Sequence, residues 1–325
     1  MLAVLRIIMH HRQMRAALEY YSHPGEITGL EKYADFLDWL SADPGAMYQV
    51  AQGLIVHDMW LDKYGIAWNP ENEYTQKTVY VQDILDKALT LDGRNLSIPR
   101  PPEKRVIACC REFASLMCAL LRAKGLPGRS RCGFAIYFGW NGLYEDHWIC
   151  EYWNGRRWVM ADPQLDPFQE STVKRWAPAD MQEKIAGFNP RDLTPRDFLT
   201  AGRAWTLCRS GKLDAAKFGI GAPIKPEWGV DTLYGLWFVR GNLLRDFAAL
   251  NKVEVPPFLA RLARGMDWKS WRLVNARDGE LSAGDWALLD RIAALSTDAD
   301  ASFEEIRRLY DADPDLQVPE KIVER

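Results

Sequence analysis

The chain has 325 residues, 48% of them hydrophobic and 26% charged, with 14 Trp, 12 Tyr and 12 Phe. That excludes a disordered chain and supplies a substantial core, in one large domain or two smaller ones. With 41 Lys and Arg against 44 Asp and Glu the formal net charge is −3, so no global electrostatic case exists for nucleic acid or an anionic membrane as partner.

The first residues, MLAVLRIIMHHRQMR, contain an apolar run that Arg6 interrupts, and no small-residue cleavage site follows. They read as a short buried element and not as a leader. No uncharged apolar stretch approaches the roughly 18 residues of a membrane span. Six cysteines, two of them adjacent at Cys109 and Cys110, make no disulfide framework; a reducing, cytoplasmic setting fits them.

In LEKYADFLDWL, Leu30, Tyr33, Phe36, Leu37 and Leu40 recur at helical spacing. Ser41 to Gly45 breaks that helix, and a second is expected over 46–64 with Val50, Leu54, Met59 and Leu61 as its buried side. A third is expected over 79–89, before the Pro99-Arg100-Pro101-Pro102 interruption. From Cys110 to Lys124 the residues favour a helix with Phe113, Met117, Leu120 and Leu121 on its apolar side, stopped by Gly125 and Pro127. Three strands follow, over 130–138, 146–153 and 157–161, with Asn141-Gly142 and Asn154-Gly155 in the connections; the second dipeptide marks a tight hairpin. Beyond Pro163, recurrent prolines predict irregular connections, with helices near 198–208, 236–251, 283–295 and 303–310. The expected class is therefore α+β, with one helix against an antiparallel sheet, helices before it and a largely helical C-terminal region. The expected division is 1–170 for the core with its N-terminal helices and 171–325 for a mostly helical extension.

Three residues carry the chemistry. Cys110 opens a helix, where unpaired N–H groups and partial positive charge favour a thiolate and can hold a developing oxyanion. Of five histidines only His147 lies in the strand-rich region after that helix, where an imidazole can serve the thiol as base. Asp162 ends the next strand, beside the histidine's end of the hairpin, where a carboxylate fixes the imidazole tautomer. Taken singly, each has an ordinary structural reading: a buried thiol, a satisfied histidine, an Asp-Pro turn. The order helix cysteine, strand histidine, next-strand aspartate is what lifts them above it. Trp140, Tyr144 and Trp148 are candidates to line a substrate cleft. For the oxyanion, the backbone of Cys110 supplies one donor, and Gln76, Gln82 and Trp68 are candidates for the second. No CxxC pair supports a metal site and no phosphate-loop or dinucleotide glycine pattern appears, so no cofactor is expected.

The stretch Cys110-Arg-Glu-Phe113-Ala114-Ser-Leu116, Leu121-Arg122-Ala-Lys-Gly125-Leu126-Pro127-Gly128-Arg129, Gly133-Phe134, Asp146-His147-Trp148 and Trp158-Val-Met-Ala-Asp162-Pro163 resembles the core of the transglutaminase-like superfamily of papain-like cysteine enzymes. Its register selects Cys110 over Cys109. Ala108 stands where that family often has glycine, and Gly128 where it has alanine; neither position holds a reacting group. The chain is also similar to a bacterial subgroup with CRDFA-, DHWVCEYW- and DAQLD-like strings, for which the resemblance implies no substrate. It implies acyl chemistry on an amide or related group through a thioester on Cys110, with His147 and Asp162 as partners. The substrate is then a peptide, protein or small-molecule amide, with water or an amine as acceptor. The competing reading is a non-catalytic binding or scaffold protein on the same fold.

Overall fold

The helix Cys110–Ala123 is buried at every residue from Cys110 to Arg122, which demands protein on all its sides. The computed structural model, which describes residues 2–72, 79–139, 142–222, 224, 231–256 and 271–323, shows what supplies it. Before it come α1 (Leu2–Tyr21), α2 (Ala34–Trp39), α3 (Pro44–Leu54), the short strand β1 (Ile55–His57), α4 (Val81–Leu91) and the short strand β2 (Val106–Ala108); the buried helix is α5. After it come β3 (Gly128–Ala135), β4 (Tyr144–Trp153), β5 (Trp158–Ala161), α6 (Pro167–Trp176), α7 (Ala179–Ala186), β6 (Phe198–Thr200), α8 (Ala201–Arg209), β7 (Phe218–Gly219), α9 (Leu236–Leu250), α10 (Arg272–Asn275), α11 (Ala283–Thr297), α12 (Phe303–Ala312) and α13 (Glu320–Val323).

The main sheet runs β5-β4-β3-β6, antiparallel throughout, with β7 parallel to the start of β4. The β4–β5 connection is the expected tight turn: Asn154 Oδ1 accepts from the N–H groups of Arg156 and Arg157, both at 3.0 Å, and Gly155 takes φ +92°, a conformation that favours glycine. One core, with Met47, Leu54, Ile84, Leu85, Leu116 and Leu120, joins α3 and α4 to α5 and reaches Cys150 and Ala161 of the sheet. A second, with Phe134, Phe218, Phe238, Leu243, Phe247 and Leu289, joins the sheet to α9 and α11, and takes in Ala17 and Tyr21 of α1. This is the α+β arrangement expected, with N-terminal helices, a helix on an antiparallel sheet and a largely helical C-terminal region.

Several local expectations are corrected. The opening residues form a 20-residue helix, not a short element. The single helix expected over 46–64 is three elements: α3, then β1, then a 3-10 helix over Asp58–Tyr64. The break follows from Ile55-Val56, β-branched residues that fit a strand better than a helix; Met59 is consequently half exposed while Val50, Leu54 and Leu61 are buried. The second strand of that small sheet, β2, lies between the proline run and α5, where no element was expected, and α6 and α7 lie in the stretch after Pro163 read as irregular. Phe198–Thr200 is strand β6, ahead of α8.

Charge is buried where the C-terminal helices meet the sheet. Arg131 on β3 grips Asp246 on α9 with two hydrogen bonds, Nε–Oδ1 at 2.9 Å and Nη2–Oδ2 at 2.8 Å, and the N–H of Cys132 donates to the same carboxylate at 2.9 Å. Glu151 on β4 takes Arg129 at 2.5 Å and Arg131 at 3.2 Å; burial alone would raise its carboxyl, but the two guanidinium groups hold it at about 2. Arg131→Leu should therefore lower the unfolding free energy by about 3–5 kcal/mol, the cost of stranding a buried charge, as read from urea denaturation. Replacing Asp246 by Leu as well should recover stability. A double variant no more stable than the single one would show that the ion pair is not what secures α9.

Candidate active site

β1 and β2 pair in parallel, with His57 opposite Ala108. β2 thus delivers the chain to Cys109, whose extended backbone caps α5. Glu112, three residues on, reaches back: its Oε2 accepts from the Cys109 N–H at 3.1 Å and from the Cys109 thiol at 2.8 Å, the backbone half of a capping box. Cys110 is the first helical residue. Its N–H is one of the donors that a helix start leaves without an intrahelical acceptor.

On the sheet, His147 lies in β4 opposite Gly133 of β3. β5 pairs with β4 in the register Cys150 with Ala161, so Asp162 follows on opposite Ile149, whose side chain shares a face with His147. The outcome is a bond of 2.8 Å between His147 Nε2 and Asp162 Oδ2. The carboxylate is fully buried and takes two further donors, the Tyr137 hydroxyl at 2.7 Å and the Gln164 N–H at 2.9 Å. The Asp162 N–H donates to Pro190 O at 2.7 Å. With Nε2 held by Asp162, Nδ1 is the nitrogen left for Cys110, and the thiol and the imidazole lie near enough for each to shift the other's proton affinity.

The electrostatics follow from these contacts. The neighbouring Cys109 thiol, His147 and His57 pull the Cys110 thiol well below its ordinary range, against burial that alone would raise it. Burial would also lower His147, but Asp162 and then Cys110 lift it to about 10. The site thus favours a thiolate–imidazolium pair. The remaining thiols for which a direction is resolved go the other way: contact with Cys110 and then burial push Cys109 up, burial pushes Cys132 and Cys150 up, and Cys208 rises to about 12 through burial. All six cysteines are free.

Of the other residues marked in the sequence, Tyr144 is partly buried and stacks on Phe218 with centroids 4.2 Å apart. Trp148 is buried with Cys110, Ala114, Cys132 and Ala249, packing behind the thiol. Gln82 lies in the first turn of α4 and Trp68 is half exposed in a loop. Trp140 and Gln76 lie outside the described residues. The side chain that sequence reasoning missed is His57: it is buried, its Nδ1 is 2.9 Å from Asp58 Oδ1, and it lies near enough to Cys110 for the two to shift each other's proton affinity. Among the described residues, no group of three or more His, Cys, Asp and Glu is placed to hold a metal ion, and no helix is long and apolar enough to cross a membrane.

Residues 67–163 match the family model of the transglutaminase-like superfamily, which includes cysteine-dependent acyl-transfer enzymes. Cys110, His147 and Asp162 all fall within the matched stretch. No curated protein and no solved structure matches the chain.

Brief exposure to iodoacetamide at mildly acidic pH should alkylate Cys110 ahead of the other five cysteines, because a thiolate beside imidazolium persists where ordinary thiols are protonated. Peptide mass mapping reads the site. Cys109→Ala should keep the labelling on Cys110, because the Cys109 thiol spends its proton on Glu112. Dominant labelling of Cys109 would overturn the assignment.

Proposed function

We propose that this chain, whose residues 67–163 carry a transglutaminase-like core, is a cysteine enzyme that transfers an acyl group from an amide or related donor through a thioester on Cys110. The observation that carries the reading is the His147–Asp162 bond, made with Cys110 at the start of a buried helix and in contact with the same imidazole. In this reading the Cys110 thiolate attacks the carbonyl carbon, and the π pair moves to oxygen. The Cys110 N–H, at the positive end of α5, stabilises that oxyanion. His147 gives its proton to the departing amine, leaving the thioester. Water or an amine then attacks the thioester, with His147 as base. Asp162 keeps the imidazole in one tautomer and orientation.

Residues 1–170 hold these reacting groups, and 171–325 form the extension that packs on them. The free thiols suit a reducing compartment, the cytoplasm being the simplest choice. The acceptor decides between an amidase or peptidase and an amide-forming transferase. A peptide, a protein or a small amide each satisfies the chemistry.

The test is an acyl adduct on Cys110, detected by intact-protein mass after incubation with activated acyl donors, with and without an added primary amine. Cys110→Ala should form none. His147→Gln should slow turnover of an amide by about 10²–10⁴-fold, the usual worth of general acid–base catalysis. Since leaving-group protonation needs imidazolium, turnover of an amide should fall as pH rises through about 10, where His147 loses its proton. On the acid side it should fall only below the lowered range of Cys110. Adducts on cysteines other than Cys110 would sink the proposal.

A further inference from the structure

Cys110 has a second imidazole beside it. His57 ends β1, and the parallel pairing of β1 with β2 sets it opposite Ala108, two residues before Cys110. It is buried at 7% exposure. Its Nδ1 is occupied: Asp58 Oδ1 lies at 2.9 Å and the Met59 N–H at 3.1 Å. The Met59 N–H lies closer to Asp58 Oδ1, at 2.7 Å; with that donor taken up by the carboxylate, Nδ1 is free to hold a proton and give it to Asp58. Nε2 is then the nitrogen left to face Cys110. The thiol accordingly interacts with two imidazole–carboxylate pairs from opposite sides of the sequence, His147 with Asp162 and His57 with Asp58.

The two pairs are not equivalent. His147 is held by a fully buried carboxylate with two further donors on it, whereas the Asp58 side chain is 43% exposed. His57 is also carried on the strand paired with β2, the segment that leads into the helix start and its unpaired N–H groups. A carbonyl attacked by the sulfur needs a second donor near that N–H for the oxygen that becomes negative.

We infer that His57 is a catalytic residue of this site, the second donor of its oxyanion hole, presenting Nε2–H to the acyl oxygen beside the backbone N–H of Cys110. This rests on the acyl-enzyme reading above and assigns the donor that reading lacks. Asp58 is its positioning residue. In the acylation step the sulfur forms its bond to carbonyl carbon while the π pair moves to oxygen, where both N–H groups donate. The pair then returns, and the bond to the leaving group breaks. Burial opposes a charged His57, but Asp58 and then Cys110 raise it to about 9, so the donor keeps its proton at neutral pH.

Two reactions on the full chain separate this role from simple support of the thiolate. p-Nitrophenyl acetate builds an oxyanion and expels p-nitrophenolate, which needs no proton from His147. Iodoacetamide alkylates the same sulfur without any oxyanion. Each variant is measured at the plateau of its alkylation pH profile. His57→Ala should slow the acylation burst by about 10²–10³-fold, the usual loss on removing one such donor. Its alkylation rate should stay within about threefold, the change in nucleophilicity expected for a thiol pKa moved by about one unit. Because His57 is buried, Asp58→Asn at the exposed position provides a second variant. It should slow the burst by a smaller factor, about tenfold, again with alkylation nearly unchanged.

Equal loss in both reactions would reduce His57 to a group that merely favours the thiolate. An unchanged burst in both variants would remove it from the site. If wild-type Cys110 is not acylated at all, the acyl-enzyme reading fails, and this inference with it; acylation of wild type with an unaffected His57 variant fails the inference alone.

Discussion

Asp162 is a carboxylate with no contact with water, and an unpaired charge in that position is too costly to persist. It is held by the imidazole of His147, the hydroxyl of Tyr137 and the backbone of Gln164. Those three donors come from β4, from the residues just after β3, and from the turn after β5. The carboxylate therefore requires the β3–β4–β5 register to be correct at one point, and that same register fixes the imidazole ring. Once Asp162 has claimed Nε2, only one edge of the ring faces the helix start where Cys110 sits. Satisfying a buried charge and aiming a base are one constraint here.

The helix start needs its own support, because α5 is enclosed and yet carries charged residues. Arg111 donates to Val79 O and Glu254 O, and Arg122 to Thr28 Oγ1 and Glu254 Oε1. Glu254 follows α9, so the C-terminal part of the chain holds the helix that carries the thiol at two turns. The Arg131–Asp246 pair ties α9 to β3 on the sheet side. Cys110 thus rides on a helix fastened to the segment just after α9, and His147 on a strand that α9 itself holds through Asn242 Nδ2, which donates to Asp146 Oδ1 at 2.7 Å. Their spacing depends on residues far outside the stretch that resembles known enzymes.

The candidate residues Cys110, His147 and Asp162 were legible because local rules and the fold agree around them. The Asn154-Gly155 turn fixed the β4–β5 hairpin, Gly125 and Pro127 fixed the end of α5, and the chain order of cysteine, histidine and aspartate followed. What stayed hidden was β1. Its three residues, Ile55–His57, are too few for the β-branched pair to outweigh the helical spacing around it until β2 is known, and β2 is another three-residue strand some fifty positions later. Neither carries enough length for its period to show. His57 was hidden with it, since a histidine on the face of a presumed surface helix has no visible partner. Trp148 illustrates the converse: its place beside His147 in sequence puts it on the opposite side of the strand, among Cys110, Ala114 and Cys132.

Two thiols adjacent in sequence at a reacting centre create an ambiguity that most cysteine sites avoid, since a group loaded on one can hop to the other. Glu112 works against that. Contact with Cys110 and burial already raise the second thiol, and Glu112, capping the helix with the same oxygen that accepts the Cys109 proton, adds to this; a protonated thiol is a poor nucleophile. A residue whose first duty is to close off a helix end also makes Cys109 a bystander. In the proposed reaction, a group loaded on Cys110 would then meet no thiolate at Cys109 to carry it off, and the molecule entering from outside would decide its fate.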